Sequence, residues 1–191
     1  MAQGRRTLNQ MNPAAQAVGL GTRLLRLINL ARVQHTAAAG VCVTSPGLAI
    51  GSGSKKKVLV GNTFLFWDSA STLPKKKTTA EIDFTATTHD VVANGSAAQE
   101  RWYLFSIVAA GTVTITVGGA SAAVGAATFP ATPAGGTPIG AMRIEVAAGA
   151  TDFDATTDEL DEAHITDEYY NFVGVANPLD LSTIPAALST G

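Results

Sequence analysis

The sequence predicts a mainly β protein: an antiparallel β-sandwich or barrel, jelly-roll-like, with a short N-terminal helical arm and an extended C-terminal tail. Three observations carry that expectation. Over residues 112–117 the apolar Val113, Ile115 and Val117 alternate strictly with Thr112, Thr114 and Thr116, the period-2 pattern of a strand with one face in a core and the other in water. Residues 102–108 are apolar on both faces, since Trp102, Leu104 and Val108 alternate with Tyr103, Phe105 and Ile107, which suits the middle of a sheet or a sheet covered by another subunit. A tight turn at Ala110-Gly111 joins the two runs into a hairpin over residues 101–117. The rest of the domain, residues 48–175, is read around that hairpin as about seven to nine strands.

Composition limits the possibilities further. The chain has 191 residues, 46% of them apolar and only 15% charged, against roughly 25% charged residues in ordinary soluble domains. So pale a surface points to one covered by neighbours. A single cysteine, Cys42, excludes an intrachain disulfide framework and a multi-cysteine zinc site. No apolar run reaches the 18 or so residues of a membrane span, and the opening residues lack the apolar centre of a secretory signal. The expectation is a soluble protein folded in the cytosol, with no membrane partner.

Charge is divided along the chain. Residues 1–77 hold eleven of the thirteen Lys/Arg and one acid, Asp68, whereas residues 78–191 hold Arg101 and Arg143 against fourteen acids. Either these charges mix on one surface, or a basic arm lies on the acidic surface of a neighbour.

Residues 1–47 read as a basic arm and linker. Within them Thr22 caps TRLLRLINLARVQH, a helix with Leu24, Leu27, Ile28 and Ala31 on one side and Arg23, Arg26 and Arg32 around them. Such a helix more often packs against its own domain or a partner than binds a membrane or nucleic acid, and for the latter no aromatic accompanies its arginines. Residues 57–68 read as a hairpin turning at Gly61-Asn62. The triplets 55–57 and 75–77, all lysine, read as solvated loop ends or guarded strand edges. Residues 81–86 alternate, and residues 137–146 return to strand, closed by Gly149. The acid-rich residues 151–168 suggest a short helix capped by Asp154 or Thr157. Residues 169–175 read as the last strand, and residues 176–191, with two prolines, as an extended tail that needs a partner for order.

Several motifs invite chemistry that the residues do not complete. GSGSKKK at residues 51–57 lacks the spacing of a phosphate loop and the hydroxyl residue after its lysine. His89-Asp90 has no nucleophile with a positioned base. Asp152 and Asp154 resemble the opening of a calcium loop, but Thr157 replaces the turn glycine and Ala163 the bidentate glutamate. His164 has no His or Cys companion for a metal and reads as a surface or partner contact. No catalytic residue, metal or cofactor is therefore expected, and an enzyme is not.

The segments LAIGSGSKKKV, FTATTHDVVANGSAAQERWYLFSIVAAGTVTITVGGA and PIGAMRIEVAAGATDFDATTDELDEAHITDEYYNF, in that order, resemble structural proteins from tailed-phage and prophage morphogenesis clusters. The resemblance covers residues 48–173 and leaves the arm and tail outside. It implies a virion component of the capsid exterior, a decoration or cement protein whose partners are copies of itself, as a homotrimer, and the major capsid protein, with no direct nucleic-acid contact. Head-fibre, neck or tail positions, and a trimeric receptor- or carbohydrate-binding module, are the alternatives. Under this reading Arg23, Arg26 and Arg32 are the candidate capsid contacts. Trp102, Tyr103 and Phe105 are candidate subunit-interface residues, with plain core as the equal alternative for each.

Overall fold

A computed structural model of the chain describes residues 40–68 and 74–174. The helical arm and the C-terminal tail expected from the sequence lie outside the described residues. Within them the chain is mainly β, with three antiparallel sheets. Eleven strands occur in order: β1 (Val41–Cys42), β2 (Leu48–Ile50), β3 (Lys57–Val60), β4 (Phe64–Trp67), β5 (Lys75–Lys77), β6 (Ala80–Asp83), β7 (Gln99–Ile107), β8 (Val113–Val117), β9 (Ala122–Ala123), β10 (Thr137–Val146) and β11 (Ile165–Asn171).

The largest sheet has the order β11-β10-β7-β8, with β9 set against the start of β7. Its centre is the hairpin read from the sequence: β7 pairs with β8, Tyr103 opposite Val117 and Phe105 opposite Ile115, and Gly111 turns the chain at φ 83, a left-handed conformation that glycine adopts without a Cβ penalty. One face of β7 packs into the main core through Tyr103, Phe105 and Ile107, and the other carries Trp102 and Leu104 in a second cluster, which is why residues 102–107 are apolar on both faces apart from Ser106.

One face of this sheet carries Tyr103, Phe105, Ile107, Met142, Ile144 and Val146, all fully buried. They meet Val58 and Val60 of β3 and Phe64 and Phe66 of β4 in one apolar cluster. Each such side chain removed from water contributes roughly 1.5–3 kcal/mol, so this cluster is the main source of stability. Gly140 lets a second sheet come close: a Cβ there would strike the Leu48 side chain and the Tyr170 carbonyl. A β-bulge between Pro138 and Gly140 bends the strand at the same point. Leu48 is further tied across by its amide, which donates to Asn171 Oδ1 at 2.8 Å.

Four expectations need correction. Residues 57–68 do not form a hairpin: β3 pairs with β2 and β6, and β4 with β1 and β5. The amides of Gly61 and Asn62 instead donate to the carbonyls of Gly47 and Pro46, so the Gly-Asn pair is where the chain passes from one sheet to another. The acid-rich 151–168 segment holds turns up to His164 and then strand, with no short helix, because the Asp154 carboxylate accepts from the Thr156 amide at 2.9 Å and hydroxyl at 2.6 Å, closing the chain locally before a helix can propagate. The last strand spans Ile165–Asn171, beginning four residues ahead of the expected start at Tyr169. The first strand, Val41–Cys42, falls inside the stretch read as linker.

Candidate interaction surfaces

The face of the large sheet turned away from the main core holds two adjoining clusters. In register across β7, β10 and β11, Arg143 stands opposite Trp102 on one side and Glu168 on the other. Its Nη1 lies 2.8 Å from Glu100 Oε2 and 3.2 Å from Glu145 Oε2, and its Nε 3.1 Å from Glu168 Oε2. Glu100 is buried, and its second oxygen accepts from the Gly125 amide at 2.8 Å. Burial would depress the Arg143 pKa, but its hydrogen bonds to Glu100 and Glu168 outweigh that effect and raise it. The Tyr170 hydroxyl donates to Glu168, and that bond, followed by the one from Arg143, holds the Glu168 carboxyl below its usual range. Beside these charges Trp102 packs edge-on to Phe129 at 5.6 Å and against Tyr170 at 5.4 Å, over buried Leu104, Ala141 and Phe172. The three aromatic planes are tilted to one another by 45° and 63°, so they interlock as a small second core under residues 118–136 and do not form a flat stacking platform.

A second feature is the corner where the described chain begins and ends. The Gly174 amide donates to the Cys42 carbonyl at 2.8 Å, and the Phe172 amide to that of Ile139 at 3.0 Å. A Cβ at Gly40 would overlap Thr137 Oγ1 and the Trp67 carbonyl, so the incoming chain is held equally close. Cys42 is fully buried. Desolvation pushes its thiol up to about 12, and the thiol donates to the Thr44 carbonyl at 3.0 Å.

The candidate residues are distributed unevenly over these features. Arg23, Arg26 and Arg32 lie outside the described residues. Tyr103 and Phe105 take the core alternative, both being fully buried within their own chain. Trp102 is half-buried and belongs to the second core.

His89 and Asp90 sit at the end of a 3-10 turn, Thr87–His89. The His89 ring stacks on Phe84 at 4.3 Å with Nδ1 3.0 Å from the Phe84 carbonyl, and burial lowers its pKa. The Tyr103 hydroxyl donates to the His89 carbonyl. This is a packed histidine. His164, expected at the surface, is half-buried, with Nε2 shielded from water and unpaired among the described residues.

The lysine triplets pair with acids from both halves of the chain, Lys55 with Asp161 at 3.8 Å, Lys57 with Glu81 at 3.5 Å and Lys75 with Asp68 at 2.5 Å. Within the domain, then, the divided charges mix. The acids of the 151–168 segment serve loop backbone: Asp152 accepts from the Ala93 amide at 2.8 Å and Asp158 from that of Asp154 at 2.8 Å. Among the described residues no three His, Cys, Asp or Glu side chains converge as a metal site, and no helix is long and apolar enough to cross a membrane.

The Arg143 cluster was missed from sequence. Its signal is a lone arginine in the apolar run PIGAMRIEV and a glutamate in QERWYLF, which make sense only once β7 and β10 are paired. Compared with protein-family models, curated proteins and solved structures, the chain matches none.

Proposed function

We propose that the chain is a structural protein of a tailed-phage virion, binding the outside of the capsid as a homotrimer and reinforcing the junctions between capsomers. In this reading its three sheets stack as a jelly-roll-like antiparallel sandwich. The observation that carries the proposal is the corner at Cys42 and Gly174, where the two ends of the described domain are joined by a 2.8 Å hydrogen bond. The described domain therefore begins and ends at one place, with 39 residues before it, holding five arginines and no acid, and 17 after it. A domain that sends both of its extensions from one corner can lay them on the same lattice, while its β-sheet body stands clear. The major capsid protein is the partner, with Arg23, Arg26 and Arg32 as contacts for acidic groups on the shell.

The mechanism is mechanical. Each contact is weak, but many copies on a repeating shell multiply them, because once one extension is docked the next binds at high effective concentration. The resemblance of residues 48–173 to phage morphogenesis proteins supports the same reading. The test is made on particles. Heads assembled without the protein lose packaged DNA on heating at low salt, and added purified protein restores retention. Heads that hold their DNA equally well without it end the proposal.

A further inference from the structure

The edges of the sheets are not treated alike. Strand β5 ends its sheet with Lys75–Lys77, β6 with Glu81 and Asp83, and β11 with Asp167 and Glu168, charges that deter pairing with another chain. Strands β1 and β2 are edges too, but they lie against β10 and β11. Among the described residues β8, longer than the two-residue edge β9, carries no charge and pairs with β7 alone: VTITV, its side chains half-buried except for exposed Thr114.

The hydrogen-bond phase shows what that edge offers. The Val108 amide donates to the Thr112 carbonyl at 3.0 Å, and the Gly118 amide to that of Trp102 at 2.8 Å. With Ser106 opposite Thr114 and Leu104 opposite Thr116, the threonines of β8 spend their backbone groups on β7. The N–H and C=O groups of Val113, Ile115 and Val117 therefore point away from β7, and no described residue pairs with them.

The strand is also its own mirror in sequence. Read from either end, residues 113–117 are Val-Thr-Ile-Thr-Val. We infer that β8 pairs antiparallel with β8 of a second copy about a two-fold axis at Ile115. That register sets Val113 against Val117 of the second copy, Thr114 against Thr116, and Ile115 against Ile115. Valine, threonine and isoleucine each meet their own kind, pairs that suit a β-sheet surface. All outward backbone groups are used, in about six hydrogen bonds, and the half-buried apolar face continues from one copy into the next. The contact is isologous, so it closes on itself and leaves no free edge.

A single five-residue strand pair covers less than the roughly 1,200 Å² of a stable interface. It is a weak contact, populated at high concentration or when copies are held side by side. It stands apart from the three-fold contact of the proposed trimer, and would join one trimer to the next.

Cysteine trapping tests the register. In the full chain Ile115→Cys faces its own copy at a Cα separation of about 5.5 Å, within disulfide range, whereas Val113→Cys is displaced from its counterpart by roughly 14 Å along the strand. Buried Cys42 does not compete. Mild oxidation of the folded protein converts Ile115→Cys to a covalent dimer and leaves Val113→Cys unlinked. Equal yields from the two variants overturn the inference. As a second measurement, light scattering at millimolar chain gives an even-numbered assembly that Ile115→Lys halves in mass. An unchanged mass, or an odd-numbered wild-type assembly, also overturns it. A fall from six chains to three keeps the trimer, while a fall from two to one removes the trimer and keeps the β8 contact.

Discussion

Arg143 Nη1 lies 2.8 Å from Glu100 Oε2, joining β10 to β7 in the middle of the large sheet, with the Glu100 side chain 2% exposed and that of Arg143 17%. Removing the cation leaves a buried carboxylate facing two others. Arg143→Ala is expected to cost about 3 kcal/mol. In a double-mutant cycle by urea denaturation, Glu100→Gln combined with Arg143→Ala recovers a substantial part of that loss, because the stranded charge is gone. Strict additivity of the two changes would show that the pair does not interact.

His89 gives the domain a sensitivity to mild acid. Burial lowers its folded pKa below the ordinary value of 6.5, so the unfolded chain takes up the proton first as pH falls. Its contribution to stability is complete above about 6.5 and is lost progressively below that. The carboxylates of Glu81, Asp83, Asp154 and Glu168 are all held below their usual range, so their loss begins at lower pH. His89→Phe should lower stability by about 1 kcal/mol at neutral pH, through the hydrogen bond to Phe84, yet flatten the decline of Tm between pH about 6.5 and 5. A decline of the same slope in the variant would refute this.

Gly140 marks a close approach of β2 to the large sheet. An added methyl meets the backbone at the Tyr170 carbonyl as well as the Leu48 side chain, and backbone cannot swing aside. Gly140→Ala should destabilise by about 1–3 kcal/mol, and Leu48→Ala should not rescue it, because the carbonyl remains. Rescue by Leu48→Ala would locate the strain in the side chain alone.

Trp102 separates a structural role from an interface role. If it holds residues 118–136 through Phe129, Trp102→Ala raises amide exchange across those residues and leaves oligomeric mass unchanged. A change of mass with unaltered exchange would instead return Trp102 to the subunit interface.

Much of this fold is legible in the sequence where one strand supplies its own evidence. Strand β8 and both faces of β7 follow from alternation within a few residues, and the Lys75–Lys77 triplet marks an edge strand by its charge. Contacts made at long range are not legible in this way. Residues 57–68 read as a hairpin because Gly-Asn is good turn chemistry, whereas the partners of its amides, Pro46 and Gly47, lie upstream. The start of β11 is hidden because Asp167 and Glu168 look like loop residues until Arg143, 25 positions away from Glu168, neutralises the latter. Asp154 or Thr157 reads as the cap of a short helix, but the bonds from Thr156 to Asp154 settle that stretch as turns.

The bond between Gly174 and Cys42 also governs how the domain carries load. Tension applied across the two ends of the described domain, Gly40 and Gly174, falls first on that single bond beside β1. Strands β7 and β10, in the middle of the sheet, stay slack until that corner has parted. A pull on the two ends of the described domain would thus part that small clasp first and spare the body of the sheet.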